Sequence, residues 1–392
     1  MSDLKKCNLS DAAEVITGFP FKGEKYASTG IRVVRGENVT LGNLRWDTIK
    51  CWNEPFKEID KYSLREGDIV IGMDGSRVGR NRAQIRKEEL PLILAQRVAR
   101  LRAKKNFAQD FLAYVIKSNL FEQYVEAIKT GTSIPHISPQ QIKEFEFIAP
   151  DKETQHRIAS ILSSLDDKIE LNRQTNKTLE AIAQTLFKEM CLPNGVELPD
   201  GWRIGKLGEV CDVNKNTLNK KTDKLDWIDY IEISEVSKGV IGKVTRYNLG
   251  EEPSRAKRTL NHGDVVLSTV RPDRGSYFLS IKPSITDVVS TGFAVFSATK
   301  VPYSFLHLFL TDEISLKYYG HVANGGAYPA INPNVIMDME IIIPNKDVLI
   351  EFNTVVEPLL LQQHQTQKET QTLAAIRDSL LPKLMKGEIE IQ

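Results

Sequence analysis

Two groups of arginines stand at matching places in this chain of 392 residues, each a few positions after a Gly-Asp pair. The groups are Arg77, Arg80 and Arg82, after Gly67-Asp68, and Arg271 and Arg274, after Gly263-Asp264. A guanidinium group can donate two hydrogen bonds to O6 and N7 of a guanine in the major groove of DNA, or it can bind a phosphate. Surface salt bridges are the alternative role for such arginines. Because both groups follow the same kind of predicted strand, we favour contact with DNA.

A second kind of loop combines small residues with polar side chains, again at two matching places. The candidate residues are Lys129, Thr132, Ser133 and His136 in the first half, and Asn324 and Tyr328 in the second. Small residues let a backbone approach phosphate closely, and Asn and Tyr side chains can reach base edges. A tight turn before a strand explains the composition equally well. A third candidate group consists of Lys22, Lys25 and Tyr26.

Basic residues are concentrated in one segment although the whole chain is nearly neutral. The formal net charge is +1, so overall charge predicts no polyanionic partner. Residues 75–105, however, contain ten basic side chains against two acidic ones. The ten are Arg77, Arg80, Arg82, Arg86, Lys87, Arg97, Arg100, Arg102, Lys104 and Lys105. A charged run is commonly a solvated face, but this excess beside Gly and Ser residues favours contact with phosphates.

The motifs of DNA-modifying and nucleotide-hydrolysing enzymes are absent from the sequence. Residues 332–334 are the nearest approach to the N-P-P box of an amino-methyltransferase, but they lack its second proline and its aromatic residue. Residues 75–79 lack the Gly-Lys-Ser/Thr ending of a Walker A loop, and the six histidines show no metal-ligand spacing. Asp151 and Glu153 resemble a nuclease carboxylate pair, but they open a predicted helix, where capping and the helix dipole favour acids. We therefore predict a non-catalytic chain that binds no metal.

The four cysteines indicate a reducing environment. Cys7, Cys51, Cys191 and Cys211 are scattered and form no C-x-x-C pair, which argues against a structural zinc site and against a disulfide framework. The N-terminal residues show no signal-peptide pattern, and no apolar run approaches the length of a membrane span. We expect a soluble protein of the cytoplasm.

The chain repeats itself at nearly constant distance. Gly67 and Gly263 lie 196 residues apart, and 194 residues separate Pro135 from Pro329. The same 194-residue distance separates Pro150 from Pro344 and Leu179 from Leu373. A period this long indicates a duplicated domain. Because the arginine loops of the two copies differ in sequence, we expect the copies to read two different halves of an asymmetric, bipartite DNA site.

Each copy is predicted to be a mixed α/β module followed by a long helix. Short β-branched runs at 31–34 and 69–71 are typical of half-buried strands, and residues 111–128 have the apolar spacing of an amphipathic helix. Residues 153–190 contain neither Gly nor Pro and would form a rod of about 57 Å at 1.5 Å per residue. A second module opens near Pro199 and ends near Pro344.

Both long helices have a heptad seam with a polar centre. The seam residues are Ile158, Leu162, Leu165, Ile169, Asn172, Asn176, Leu179, Ala183 and Leu186 in the first helix, and Phe352, Val356, Leu359, Thr366, Leu373, Ile376 and Leu380 in the second. Buried asparagines would set the register at some cost in stability. We predict that the helices pair with each other as an antiparallel coiled coil; the alternative is that each packs only on its own module.

Taken together, these landmarks resemble the DNA-specificity (S) subunits of type I restriction–modification enzymes. The resemblance is carried by residues 18–22 with Tyr26 and Gly30, by Arg35, Asn38 and the Gly67-Asp68 strand, by 131–138, by 144–190, and by LPDGWRIGKLGEV at 198–210. It spans almost the whole chain, although residues 352–371 match the first helical region weakly.

The resemblance implies an α+β fold with a pseudo-two-fold internal repeat. It implies target-recognition domains at 1–151 and 193–345, and helical spacer regions at 152–192 and 346–392. Partners implied by the family are double-stranded DNA, two methyltransferase subunits and, through them, nuclease–translocase subunits. The chain itself is expected to bind no cofactor, because S-adenosylmethionine belongs to the methyltransferase.

Three other functions are compatible with the residues. The chain could be an enzyme whose active site follows no known motif, a structural protein that bridges partners with its helices, or the specificity chain of a related methyltransferase–nuclease fusion system. Methyl transfer by the isolated chain would indicate the first. Absence of salt-dependent DNA binding would indicate the second, because phosphate contacts impose a steep dependence on salt.

Overall fold

The computed structural model describes residues 5–131, 133–193, 195, 197–219, 224–326, 328–385 and 388–389. The chain divides into two units. Unit 1 comprises Met1–Ile169 and Thr372–Gln392, and unit 2 comprises Glu170–Gln371. Both divisions lie inside long helices, so each unit contains one copy of the repeat together with a part of each helix.

Unit 1 is a mixed α/β module. Its strands are β1 (Lys5–Asn8), β2 (Ala13–Thr17), β3 (Ile31–Val34), β4 (Leu41–Gly42), β5 (Cys51–Trp52), β6 (Ile69–Gly72), β7 (Arg82–Gln84), β8 (Leu92–Leu94), β9 (Val98–Ala103) and β10 (Glu146–Ala149). Its helices are α1 (Leu9–Ala12), α2 (Ile59–Tyr62), α3 (Gln109–Lys117), α4 (Asn119–Ile128), α5 (Pro139–Lys143) and the first part of α6 (Lys152–Cys191). Within the described residues the strands form sheets in the orders β2-β9-β6-β7-β4 and β5-β3-β8, and β1 pairs with β10.

Strand β6 is buried on both faces. Ile69 and Ile71 join the core that contains α3 and α4, whereas Val70 joins a second core with Val34 and Leu94 of the smaller sheet. Alternate residues of a strand point to opposite faces, so a strand covered on both sides needs a continuous apolar run. This burial explains the uninterrupted Ile-Val-Ile sequence and fixes the position of the loop that follows it.

Unit 2 has a comparable architecture. Its strands are β11 (Arg203–Lys206), β12 (Cys211–Val213), β13 (Trp227–Ile231), β14 (Val236–Ser237), β15 (Val240–Ile241), β16 (Thr245–Asn248), β17 (Ala256–Thr259), β18 (Val265–Ser268), β19 (Tyr277–Leu279), β20 (Asp287–Ser290), β21 (Phe293–Ala298) and β22 (Glu340–Ile343). Its helices are the second part of α6, α7 (Tyr303–Thr311), α8 (Glu313–Val322), α9 (Pro333–Met337) and the first part of α10 (Lys346–Met385). Within the described residues the sheets have the orders β12-β21-β18-β19 and β16-β13-β20-β17, and β11 pairs with β22, as β14 does with β15.

The Gly-Asp landmark of each copy is a structural turn. Gly67 and Gly263 have φ values of 83° and 85°, a left-handed conformation that favours glycine. In each turn the aspartate carboxylate accepts a hydrogen bond from a backbone N–H three residues earlier, at 2.7 Å in both Asp68 and Asp264. The pair therefore closes the turn that enters β6 or β18.

The two long helices pack against each other in antiparallel orientation within each unit, as predicted. In unit 1 the guanidinium of Arg377 donates to Asp166 at 2.7 Å. In unit 2 Asn172 donates to Glu369 at 3.0 Å, and the ring centroids of Phe187 and Phe352 lie 6.2 Å apart. The first part of α6 packs on the first module, where Ile158 and Leu162 join its core, whereas Phe187 further along packs on Phe305 of α7 in the second module at 5.5 Å. The alternative that each helix packs only on its own module is therefore wrong.

Most of the predicted seam residues lie on the sheltered faces of these helices. Those that are buried are Ile158, Leu162, Ile169, Asn172, Ala183, Phe352, Val356 and Thr366, and those that are half-buried are Leu165, Asn176, Leu179, Leu186, Leu359, Leu373 and Leu380. The prediction that Ile376 belongs to the seam was wrong, because this side chain is 42% exposed. Its neighbour Arg377 turns inward instead and binds Asp166.

Candidate nucleic-acid interface

In unit 1 the loop that follows β6 lies against the loop that contains His136. The N–H of Gly75 donates to the carbonyl of Pro135 at 2.9 Å, and the N–H of Ile137 donates to Met73 at 2.9 Å. Two candidate loops that the sequence places some 60 residues apart therefore meet at one edge of the unit.

In unit 2 the equivalent loops meet through equivalent hydrogen bonds. The N–H of Arg271 donates to the carbonyl of Pro329 at 2.8 Å, and the N–H of Ile331 donates to Thr269 at 2.9 Å. Gly75 and Arg271 are 196 residues apart, and Pro135 and Pro329 are 194 apart, which are the offsets of the repeat itself. The junction of the two loops is thus a property of the duplicated fold.

The three arginines after β6 have different environments. Arg77 and Arg80 are exposed, and Nε of Arg80 lies 2.6 Å from the carboxylate of Glu122 on α4. Arg82 is buried, and its guanidinium donates to the carbonyl of Lys117 at 2.8 Å and to that of Gly79. Its pKa is lowered, because burial disfavours the charged form. Its burial and its two hydrogen bonds to carbonyls indicate a structural role for Arg82 inside the unit, which argues against the predicted contact with DNA.

The candidates on the second loop of unit 1 are accessible. Ser133 and His136 are exposed, and Nε2 of His136 lies 3.1 Å from the hydroxyl of Thr130. Lys129 is half-buried and forms a salt bridge with Glu126 at 2.5 Å. Thr132, also predicted from the sequence, lies outside the described residues.

The third candidate group lies close to the first two. Lys22 is exposed, and Lys25 pairs with Glu54 at 2.8 Å. The guanidinium of Arg35 stands 5.5 Å from the ring centroid of Tyr26, within range of a cation–π interaction. Tyr26 and Arg35 line a surface depression of about 240 Å³.

Sequence reasoning missed one pair of residues at this edge, Arg97 and Asp74. Arg97 occupies the turn between β8 and β9 with a φ of 66°, and its Nη1 lies 2.8 Å from Asp74. The carbonyl of Arg97 accepts the N–H of Met73 at 3.0 Å, just as that of Gly292 accepts the N–H of Thr269 at 2.9 Å in unit 2. Arg97 in the first copy therefore corresponds to Gly292 in the second. An alignment of the two copies shows this difference, whereas the number of basic residues in the segment does not.

Unit 2 presents a stacked pair at its loop junction. Arg271 has a φ of 48°, and its guanidinium stands 4.4 Å from the ring centroid of Tyr328, which is 72% exposed. Arg274 and Asn324 are exposed beside it, and the N–H of Asn324 donates to Ala330 at 2.9 Å. The structure thus brings together all four predicted site residues of this unit.

The chemistry available at both junctions is hydrogen-bond donation and stacking. Across the described part of the chain, no group of three or more His, Cys, Asp or Glu side chains could hold a metal ion. Burial raises the pKa of the Cys7 thiol to about 11 and those of Cys191 and Cys211 to about 12, so these thiols stay protonated at neutral pH. No helix in the described ranges has the length and apolar character needed to cross a membrane.

Comparison with known proteins links this architecture to one family. The model of the type I restriction modification DNA specificity domain matches residues 1–181 and 199–352, once for each copy of the repeat. The chain is 24% identical over 358 residues to the type I restriction enzyme MjaIX specificity subunit of Methanocaldococcus jannaschii, covering 86% of this chain and 82% of that one. It is 25% identical over 358 residues to the HindI specificity subunit of Haemophilus influenzae, covering 71% and 77%.

A solved structure has the same fold. The S subunit of a type I restriction-modification system from M. genitalium superimposes with a TM-score of 0.61 at 18% sequence identity, over 100% of this chain and 97% of that chain. At this identity the likeness concerns the fold.

Proposed function

Because this chain belongs to the family of type I restriction modification DNA specificity domains, we propose that it reads an asymmetric, bipartite DNA site and delivers two methyltransferase subunits to it. Membership of this family gives the general function, that of a non-catalytic specificity subunit, which recognises a DNA sequence. The proposal adds how the DNA site is divided and which subunits assemble on the chain.

The observation that carries the bipartite site is the pair of loop junctions. Each unit holds two candidate loops together by the same backbone hydrogen bonds, Gly75 to Pro135 in one and Arg271 to Pro329 in the other. Rigidly held donors are what base reading requires, because a bidentate contact depends on the direction of the N–H groups. Two such junctions in one chain suit a DNA site with two recognised halves.

The side chains at the two junctions support different half-sites. Unit 1 offers exposed arginines and His136, whereas unit 2 offers the stacked pair of Arg271 and Tyr328. Donors of different shape select different base edges in the major groove. An asymmetric sequence therefore fits this chain better than a palindrome.

The long helices are proposed to set the length of the unread spacer between the half-sites. Each has 40 residues, which corresponds to about 60 Å of helix at 1.5 Å per residue. The methyltransferase subunits would dock on the chain, hold S-adenosylmethionine and transfer the methyl group to adenine. Nuclease–translocase subunits would join through them, and this chain would bind no cofactor.

The test is the pattern of adenine methylation. The chain is co-expressed with its methyltransferase partner, and methylated adenines are mapped across the genome with and without this gene. We expect methylation at one bipartite sequence that vanishes without the chain. The purified chain alone should transfer no methyl group, and methyl transfer by it would show an active site in this chain.

A second measurement separates DNA reading from protein bridging. Binding of the full complex to the mapped site is measured between 50 and 200 mM salt. We expect affinity to fall steeply, by roughly 10³-fold or more if six or more phosphates are contacted. Binding that does not depend on salt would favour the alternative function, that of a structural protein that bridges partners with its helices.

A further inference from the structure

Arg97 and Asp74 stand where the three candidate loops of unit 1 meet. Both residues line a depression of about 500 Å³ that also contains His136. Both also line the smaller depression that contains Tyr26 and Arg35. The pair therefore separates two concave surfaces at the edge of the unit that carries the candidate DNA contacts.

The backbone of Arg97 is held in a conformation that does not suit arginine. Its φ of 66° lies in the left-handed region, where the Cβ of an L-residue approaches the following carbonyl. Hydrogen bonds on both sides impose this conformation: Met73 donates to the carbonyl of Arg97 at 3.0 Å, and Gln96 donates to Phe19 at 2.9 Å. Glycine would satisfy the turn with less strain. Strained residues that the surroundings impose occur preferentially at functional sites.

The Arg97 side chain adds little to the stability of the fold. It is 70% exposed, and exposed ion pairs contribute little to folding. Asp74, at 25% exposure, is the more sheltered member and receives the hydrogen bond from Nη1 at 2.8 Å. One edge of the guanidinium is thereby fixed to the unit, and the described residues supply no partner for Nε or Nη2. These two groups form the planar fork that binds guanine O6 and N7.

We propose that Arg97 reads a guanine in the half-site bound by unit 1, and that Asp74 is the positioning residue that orients its guanidinium. This inference rests on the proposed function, since it names a specificity-determining residue of the same DNA-binding edge. In this proposal, the turn between β8 and β9 is a third base-reading element, in addition to the loop after β6 and the loop that contains His136.

The principal variant is Arg97→Gly, because glycine suits the positive φ and leaves the turn intact. The full chain, with its methyltransferase partner, is incubated with a randomised double-stranded DNA library, and the bound duplexes are sequenced. Competition with single base-pair variants of the selected site then measures discrimination at each position. We expect a loss of roughly 10- to 100-fold at one G·C pair of one half-site. The melting temperature should be unchanged or higher, so a folding defect cannot account for the loss.

Two substitutions sharpen the test. Arg97→Lys keeps the charge but not the planar fork, so it should lose much of the same discrimination; full discrimination by this variant would show that the fork does not read the guanine and would overturn the proposal. Asp74→Asn should weaken discrimination at the same base pair, and a change in overall affinity alone would overturn its positioning role. Arg45→Ala is the matched control: this exposed arginine of unit 1 pairs with Asp47 at 3.0 Å and lines neither depression, and it should leave every position unchanged.

The wild-type complex distinguishes the two levels of inference. If it selects no sequence from the library, the proposed function fails. If it selects a bipartite sequence and Arg97→Gly selects the same one with equal discrimination, only the role of Arg97 is refuted.

Discussion

Arg80 and Arg82 are two positions apart in the sequence, yet their environments are opposite. The side chain of Arg80 is 61% exposed and that of Arg82 is 7% exposed. Arg82 opens β7, and its guanidinium donates to the carbonyls of Gly79 and Lys117. It therefore ties the loop after β6 to the end of α3, whereas Arg80 remains at the surface.

Arg82→Ala is expected to destabilise unit 1. The change removes charge-assisted hydrogen bonds to two carbonyls, so the free energy of unfolding should fall by about 2–4 kcal/mol. Urea unfolding followed by circular dichroism measures it. Arg77→Ala is the control, because this side chain is exposed and its loss should change stability by less than about 0.5 kcal/mol. If Arg82→Ala instead kept wild-type stability and changed DNA specificity, this result would support the prediction that Arg82 contacts DNA.

The exposed arginines are expected to divide by half-site. Arg77→Ala or Arg80→Ala should relax recognition of one half of the DNA site, and Arg271→Ala or Arg274→Ala should relax the other. Each lost bidentate contact corresponds to about 1–3 kcal/mol of discrimination. Competition binding with variant duplexes measures the effect. Equal, sequence-independent losses from all four substitutions would indicate phosphate contacts only.

At the scale of elements, the seam of α6 contains two asparagines, Asn172 and Asn176, that differ in their partners. Asn172 is 2% exposed and donates to Glu369 on the opposing helix at 3.0 Å. Asn176, one turn further along α6, has its Oδ1 buried without a hydrogen-bond partner among the described residues. The side chain of Asn172 therefore has a hydrogen-bond partner on the opposing helix, whereas the side-chain oxygen of Asn176 has none among the described residues.

Replacing these asparagines with leucine should have opposite effects on stability. Asn176→Leu removes a buried, unsatisfied oxygen and should raise the free energy of unfolding by about 1 kcal/mol, whereas Asn172→Leu removes a hydrogen bond to a charged partner and should lower it by about 1.5–3 kcal/mol. Chemical denaturation of both variants measures the difference. A loss of stability in Asn176→Leu equal to that in Asn172→Leu would mean that both asparagines are satisfied in solution.

At the scale of the whole molecule, the chain passes between its two units only through α6 and α10, at Ile169–Glu170 and at Gln371–Thr372. Insertions at these two points leave the contacts within each unit intact. Because the helices are antiparallel, an insertion in one helix needs a matching insertion in the other to keep the pairing. Helix length can therefore be varied independently of the loops proposed to read bases.

Four residues added at both points should lengthen the spacer of the DNA site by one or two base pairs. The insertion adds about 6 Å of helix and slightly more than one turn, so the apolar faces stay roughly in phase. At about 3.4 Å per base pair this is close to two base pairs. Methylation mapping of the variant decides the matter. An unchanged spacer with full activity would show that the helices do not set it, and the same residues inserted into α6 alone form the control, expected to lower stability.

The amino-acid sequence alone determined the features that depend on local pattern. The duplication follows from four pairs of landmarks at nearly equal distance, and the long helices follow from heptad spacing, in a segment without Gly or Pro for the first of them. The candidate loops followed from composition and from their repetition, and the two copies proved to join them by matching hydrogen bonds. Such features are predictable because the residues that cause them are neighbours in the chain.

Only the tertiary structure decided which basic side chains are accessible. Arg82 is buried because the carbonyl of Lys117, 35 residues away, lies beside it. Arg97 is a candidate DNA contact because the N–H of Met73, 24 residues away in the sequence, donates to its carbonyl and so joins the two turns. Ile376, predicted in the seam, is exposed, whereas its neighbour Arg377 faces the opposing helix and forms an ion pair with Asp166. Burial and ion pairing depend on contacts between residues distant in sequence, which no local pattern contains.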